Sequence, residues 1–144
     1  NERSDRMVLV EEQVRFAETD AMGVAHHANY FRWFEIGRVA LLKKAGVYLN
    51  ELIAQDVLFP ITDVSCQYRA SARFDDILAI ETKLVKASRV KLVFSYRVIR
   101  LADQMLLATG KTQNAFTNAA GRVARVEPEL YERLSRWVED DWKA

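Results

Sequence analysis

The stretch "NYFRWFEIGRVALLKKA", from Asn29 to Ala45, indicates the fold. Its apolar residues recur at intervals of three and four, the spacing of one face of an α-helix. The stripe consists of Tyr30, Trp33, Phe34, Gly37 and Leu41, and it is widened by Phe31, Leu42 and Ala45. An apolar surface this broad predicts a helix that is covered on several sides. The following Gly46 suits the end of such a helix.

Segments with strand character lie on both sides of this helix. Residues 8–17 show partial alternation of apolar and polar side chains, and further strands are predicted at 58–70, 76–86, 90–100 and 105–117. The breaks "ASR" and "LADQ" between the last three are short, which predicts antiparallel hairpins. A short helical stretch is predicted near 48–55, and Pro128 opens a short terminal helix.

The order of these elements is a strand, a long helix, four strands and a short helix. Such segregation predicts an α+β fold with an antiparallel sheet, and a large curved sheet could bury the helix by wrapping around it. We expect one domain over residues 1–144, with residues 1–6 disordered or added by cloning. On the outer face of the sheet, Val93 and Ile99 alternate with Lys91 and Arg97. This mixture suggests contacts between subunits.

Composition excludes several classes of protein. Half of the 144 residues are apolar and the formal net charge is +1, so neither nucleic acid nor a membrane surface is expected as a partner. A single cysteine, Cys66, cannot form an internal disulfide. No apolar run has the length of a transmembrane helix, and the first ten residues lack a signal-peptide core. We therefore expect a cytoplasmic protein.

The residues just before the long helix suggest its chemistry. A helix N-terminus presents unpaired N–H groups and partial positive charge, here near His27, Ala28 and Asn29, and it can stabilise an oxyanion. Asp20 lies seven residues before His27, across a turn at Gly23. A carboxylate beside a polarised carbonyl is suited to acyl transfer. In the alternative interpretation, Asp20 only caps free amides and Gly23 only provides a positive φ angle.

The motif "DAMGVAHHANYFRWFEIGR", from Asp20 to Arg38, resembles the signature of hotdog-fold acyl-CoA thioesterases. It is most similar to the 4-hydroxybenzoyl-CoA thioesterase group, which includes the YbgC-type enzymes, and the order of elements agrees over positions 7–138. The resemblance implies a hotdog fold, with a five-stranded antiparallel sheet around one central helix. It also implies hydrolysis of an acyl-CoA or aryl-CoA thioester to the free acid and CoA, without metal or cofactor. Asp20 would be catalytic, and the backbone of His27 would donate to the oxyanion.

The same resemblance implies a binding site at a subunit interface. In this family the substrate tunnel lies between two subunits, so a homodimer or homotetramer is expected. The segment "KASRVK" matches the region that binds the nucleotide end of CoA, and Arg and Lys suit phosphate oxygens, although a solvated turn is the alternative. The predicted substrate-binding residues are Gly23, Val24, Asn29, Tyr30, Ser88, Arg89 and Lys91.

The side chains near the helix start have further possible roles. His26 could orient Asp20 or the substrate, Asn29 is predicted to cap the helix, and Tyr30 to line the tunnel. Adjacent histidines chelate one metal ion poorly, so no metal site is expected. Glu35 and Arg38 are spaced to pair on one helix face.

The residues allow more than one chemistry at this site. Asp20 could act as a nucleophile or as a general base. The same scaffold could instead bind acyl chains or a protein without hydrolysis, or act as an enoyl-CoA hydratase of the hotdog type. The identity of the acyl group is also undetermined.

Overall fold

A computed structural model of the chain describes residues 6–143 and contains five strands and three α-helices in that range. In chain order the elements are β1 Val8–Gln13, a 3₁₀ turn Phe16–Glu18, α1 Ala28–Lys44, α2 Leu49–Ala54, β2 Ile61–Tyr68, β3 Ile77–Ala87, β4 Lys91–Arg100, β5 Met105–Ala115 and α3 Pro128–Ser135. No helix within these residues is long and apolar enough to cross a membrane. The expectation for residues 1–6 falls mostly on 1–5, which lie outside the described residues.

All five strands form one antiparallel sheet in the order β1-β3-β4-β5-β2. The predicted hairpins β3–β4 and β4–β5 are confirmed, and so is the α+β fold. The strand β2 lies at the far edge of the sheet and pairs with β5, where Cys66 faces Gly110. The sequence pattern predicted this strand but not its neighbour in the sheet.

The sheet wraps around helix α1, which confirms the predicted covered helix. Tyr30, Trp33 and Phe34 are at most 1% exposed. The helix approaches β5 closely because position 110 has no side chain: a Cβ atom on Gly110 would overlap the ring of Phe34. The expectation that Phe31 belongs to the buried stripe is wrong, since its side chain is 46% exposed in the single chain.

The buried face of α1 also carries a charged residue. Arg38 is only 7% exposed, and its Nη1 donates a hydrogen bond to the hydroxyl of Tyr96 at 3.1 Å. That hydroxyl lies 2.6 Å from the hydroxyl of Thr112. Among the described residues Arg38 makes no ion pair with Glu35, so the predicted pair on one helix face is wrong.

The C-terminal segment crosses the outer face of the sheet. The Trp142 ring lies 4.6 Å from Lys83 Nζ and 4.6 Å from Arg97 Cζ, and Asp141 pairs with Lys111 at 2.8 Å. Part of the face that the sequence assigned to subunit contacts is therefore covered by the chain's own end.

Candidate active site

The loop that carries Asp20 is closed on itself just before helix α1. Thr19 and Ala25 form an isolated antiparallel bridge, and the Asp20 amide donates to the carbonyl of Val24 at 2.9 Å. Gly23 turns the chain with a φ of +75°, a conformation that residues with a Cβ atom rarely adopt. The predicted backbone role of Gly23 is confirmed, and the loop holds Asp20 at a fixed place.

The Asp20 carboxylate is exposed, and one of its two oxygens accepts hydrogen bonds from amides of its own loop. Its Oδ1 accepts hydrogen bonds from the amides of Met22 at 2.8 Å and Val24 at 3.1 Å, whereas Oδ2 has no hydrogen-bond partner within residues 6–143. These two hydrogen bonds lower the pKa of Asp20, and the one from the Val24 amide has the largest effect. The charge of His26 lowers this pKa further. The carboxylate is therefore ionised at neutral pH. It caps amides of its own loop, and no hydrogen bond joins it to His26.

The start of helix α1 leaves two amides without a backbone acceptor. His27 is the N-cap residue, and within the part of the chain that the structure describes no side-chain hydrogen bond caps this end of the helix. The amide of Asn29 donates to the carbonyl of His26 and that of Tyr30 to the carbonyl of His27, both at 3.1 Å. Among the described residues, the amides of His27 and Ala28 have no such partner. The prediction that the Asn29 amide is free is wrong, because the first turn is tight.

The Asn29 side chain ties the helix to the preceding turn instead of capping it. Its Nδ2 donates to the carbonyl of Glu18 at 2.8 Å and to that of His26 at 3.1 Å. The His26 amide donates to the same Glu18 carbonyl at 2.9 Å. The predicted cap is thus wrong, and Asn29 instead fixes the two ends of the Asp20 loop relative to each other.

Glu18 is a structural residue of this site that could not be recognised from the sequence. Its side chain is 3% exposed, and Oε1 accepts the Arg15 amide at 2.8 Å while Oε2 lies 3.1 Å from Arg32 Nη1. Burial alone would raise the pKa of Glu18, but the hydrogen bonds from Arg15 and the charges of Arg15 and Arg32 outweigh it and lower the pKa. Nothing in the local pattern distinguishes this glutamate from a solvated one.

Aromatic side chains pack together at the start of helix α1. The His27 ring stacks on Tyr68 of β2, with centroids 3.8 Å apart and planes 12° apart. Tyr30 is buried to 1% exposure and contacts the same Tyr68 ring edge-to-face at 5.1 Å. In the single chain Tyr30 therefore lies behind the site, and its predicted contact with substrate stays a prediction.

Large apolar side chains around the Asp20 loop face solvent in the single chain. Met22 is 80% exposed and Phe16 75%, and Phe16 packs edge-to-face on the half-exposed ring of Phe74 at 5.7 Å. Exposed large apolar side chains grouped around one loop are typical of an interaction site.

The predicted nucleotide-binding residues lie at the other end of the sheet. The Ser88 hydroxyl accepts the amides of Val90 and Lys91, and Arg89 Nε donates to the carbonyl of Val126 at 2.8 Å. These residues follow the C-terminal end of β3. The Asp20 loop instead contacts the segment just before the N-terminal end of β3, where the amide of Phe74 donates to the carbonyl of Gly23 at 2.9 Å. The eleven residues of β3 span roughly 33 Å at about 3.3 Å per step. One chain does not bring the two halves of the predicted site together.

No group of three or more potential metal ligands lies close together within residues 6–143.

Comparison with known proteins gives one consistent result. A family model described as the thioesterase-like superfamily matches residues 14–134. The putative acyl-CoA thioesterase YneP of Bacillus subtilis is 33% identical over 93 residues, which are 65% of this chain and 67% of that protein. The acyl-CoA thioester hydrolase YbgC of Escherichia coli is 32% identical over 94 residues, 65% of this chain and 70% of that protein. The solved structure of a DHNA-CoA thioesterase from Staphylococcus aureus has a TM-score of 0.85 and 28% identity, and the match covers 90% of this chain and 89% of that one.

Proposed function

This chain belongs to the thioesterase-like superfamily, and we propose that it hydrolyses acyl-CoA thioesters with Asp20 and the first amides of helix α1. The reaction class is that of the relatives that match most of its length. The observation that carries the assignment of residues is the pairing of two features. An ionised carboxylate stands on a closed loop, and this loop leads directly to the start of helix α1, where the amides of the N-cap residue His27 and of Ala28 have no backbone acceptor among the described residues.

The chemistry follows from what each group can do. The carbonyl oxygen of the thioester accepts hydrogen bonds from the amides of His27 and Ala28, which stabilise the negative charge that forms on it. Asp20 either attacks the carbonyl carbon or takes a proton from the water that attacks it. If Asp20 acts as the base, water forms the new C–O bond, the C–S bond breaks, and the proton that Asp20 took goes to the leaving thiolate, so that the CoA thiol and the acid are released. If Asp20 attacks, the C–S bond breaks with release of the CoA thiolate and leaves a mixed anhydride, which water then hydrolyses to the acid and the Asp20 carboxylate. The residues named here supply the base and the oxyanion donors, so the proposal invokes no metal or cofactor.

A second copy of the chain completes the site in this proposal. The Asp20 loop and the turn at Ser88, Arg89 and Lys91 lie at opposite ends of β3, so in one chain a CoA ester cannot reach both easily. A two-fold axis that runs the two sheets in opposite directions would place the turn of one subunit near the loop of the other. The exposed apolar residues around the loop, Met22 and Phe16 among them, support such a contact.

Substitution of Asp20 tests the proposal. Asp20→Asn removes the charge, but its side-chain oxygen can still accept the amides of Met22 and Val24, so we expect the loop to keep its shape. We expect kcat for acyl-CoA hydrolysis, measured by release of free thiol, to fall at least about 100-fold, the usual contribution of a positioned general base. The melting temperature should stay near that of the wild type.

Asp56→Asn is the matched control. Asp56 is also exposed, and its Oδ1 accepts a backbone amide, that of Ala119 at 3.0 Å, away from the helix start. This variant should keep wild-type turnover. If Asp20→Asn hydrolyses acyl-CoA within about threefold of the wild type, Asp20 is neither the nucleophile nor the general base.

A further inference from the structure

Tyr68, the last residue of edge strand β2, touches the peptide group at which helix α1 begins. Its ring carries the stacked ring of His27, and its hydroxyl lies 3.5 Å from the carbonyl oxygen of His27. Tyr68 remains 39% exposed, so it lies at the surface beside the free amides and not in the core. No role for Tyr68 follows from its place in the sequence.

The geometry of one peptide group connects Tyr68 to the oxyanion. The carbonyl of His27 and the N–H of Ala28 belong to the same planar trans peptide, so they point in opposite directions. A contact that fixes the carbonyl therefore also fixes the direction in which the N–H points. Among residues 6–143 the His27 carbonyl has two donors, the amide of Tyr30 at 3.1 Å from inside the helix and the hydroxyl of Tyr68 at 3.5 Å from the sheet.

We infer that Tyr68 is a positioning residue of the hydrolysis reaction, which aims the Ala28 amide at the thioester oxygen through its contacts with His27. The inference rests on the proposed function, because it assigns a purpose to an amide that the proposal places in the oxyanion hole. Tyr68 acts through the backbone, and it needs no contact with the substrate. Its aromatic ring fixes the side chain of His27, and its hydroxyl fixes the carbonyl.

The surroundings of the hydroxyl keep it a donor. Burial, together with the hydrogen bond and charge of Cys66 and the charge of Tyr30, raises the pKa of Tyr68 to about 12. The phenol therefore stays protonated over the range in which such an enzyme is assayed.

Removal of the hydroxyl alone separates this role from packing. Tyr68→Phe keeps the stacked ring, so the melting temperature should stay within about 2 °C of the wild type while kcat falls about tenfold and KM changes by less than about twofold. This loss is smaller than the about 100- to 1,000-fold expected when an oxyanion donor itself is removed. Tyr48→Phe is the control, because Tyr48 is similarly exposed (44%) but lies at the start of α2.

A spectroscopic measurement tests the same inference without turnover. In the Asp20→Asn background, the infrared carbonyl band of a bound acyl-CoA reports the hydrogen bonds to its oxygen. We expect Tyr68→Phe to move this band towards its position in water-free solvent, and Tyr48→Phe to leave it unchanged.

The outcomes distinguish the two proposals. Full kcat in Tyr68→Phe, or an unchanged carbonyl band, overturns the role of Tyr68. If Asp20→Asn abolishes turnover in the same series, the proposed function still holds. A loss of kcat that is matched by an equal loss of folded protein also overturns it, since Tyr68 would then only support the fold.

Discussion

Removal of the buried charge of Glu18 should destabilise the protein by about 2 kcal/mol. Breaking a buried ion pair costs about 3–5 kcal/mol, whereas an exposed pair contributes under about 1 kcal/mol. The Glu18 side chain is 3% exposed, but its partners Arg15 and Arg32 are 60% and 41% exposed, which places the pair between these limits. Arg32 also retains Glu12 at 3.6 Å when Glu18 loses its charge. We therefore take about 2 kcal/mol for Glu18→Gln.

The assay is denaturant or thermal unfolding at pH 7. For a chain of this size, about 2 kcal/mol corresponds to a fall in melting temperature of about 4–8 °C. The control is Glu129→Gln, which removes the exposed pair with Arg133 (2.8 Å) and should change stability by about 0.5 kcal/mol or less. If the two variants have equal stability within about 0.5 kcal/mol, the ion pair at Glu18 does not stabilise the fold.

The stability difference between the wild type and Glu18→Gln should depend on pH, and the lowered pKa of Glu18 fixes the sign of this dependence. The pKa of Glu18 in the folded chain is lowered below its ordinary value of 4.5, so its ionised form stabilises the fold at pH values above about 4.5. This contribution is lost as the pH falls through the folded-state pKa. The difference in stability between the wild type and Glu18→Gln should therefore be constant near neutral pH and shrink in acid. A difference that grows in acid would contradict the reasoning.

Two further predictions concern the core and the substrate. Gly110→Ala places a methyl group against the ring of Phe34, so we expect a loss of about 1–3 kcal/mol in stability, measured by chemical unfolding. An unchanged unfolding midpoint would show that helix α1 does not approach β5 this closely. Lys91→Ala should raise KM for an acyl-CoA severalfold but leave KM for the same acyl group on pantetheine unchanged, because only CoA carries the nucleotide phosphates. Lys86→Ala, an exposed lysine of the same hairpin, is the control, and equal effects on both substrates would exclude a phosphate contact at Lys91.

Residues that were predicted correctly share a local signature. The helix from Ala28 to Lys44 and the strands β3, β4 and β5 could be read from the sequence because burial of one face imposes a fixed spacing of apolar side chains. The turn with a positive φ angle at Gly23 was predicted correctly for a similar reason, since this angle is a property of one residue. The reaction class followed from the motif that begins at Asp20, and the comparisons support it.

Residues that were missed depend on partners far away in the chain. Tyr68 meets His27 across 41 positions, and Arg38 bonds to Tyr96 across 58. Glu18 looks like any solvated glutamate until α1 brings Arg32 to it across 14 positions. The sequence around a charged side chain does not indicate which distant group will pair with it. The spacing of Arg38 therefore predicted a pair with its near neighbour Glu35.

The sequence by itself determined which segments form helix and strand and which acid stands before the helix. These features follow from the periodicity of burial and from the unpaired amides that every helix start must present. Only the tertiary structure decided that β2 lies beside β5, so that Tyr68 reaches the helix start. Only the tertiary structure also placed the turn at Ser88 and the Asp20 loop at opposite ends of β3. The reason is that strand order and long-range side-chain contacts depend on how the whole chain buries its apolar surface. A local sequence pattern contains no information about these distant partners.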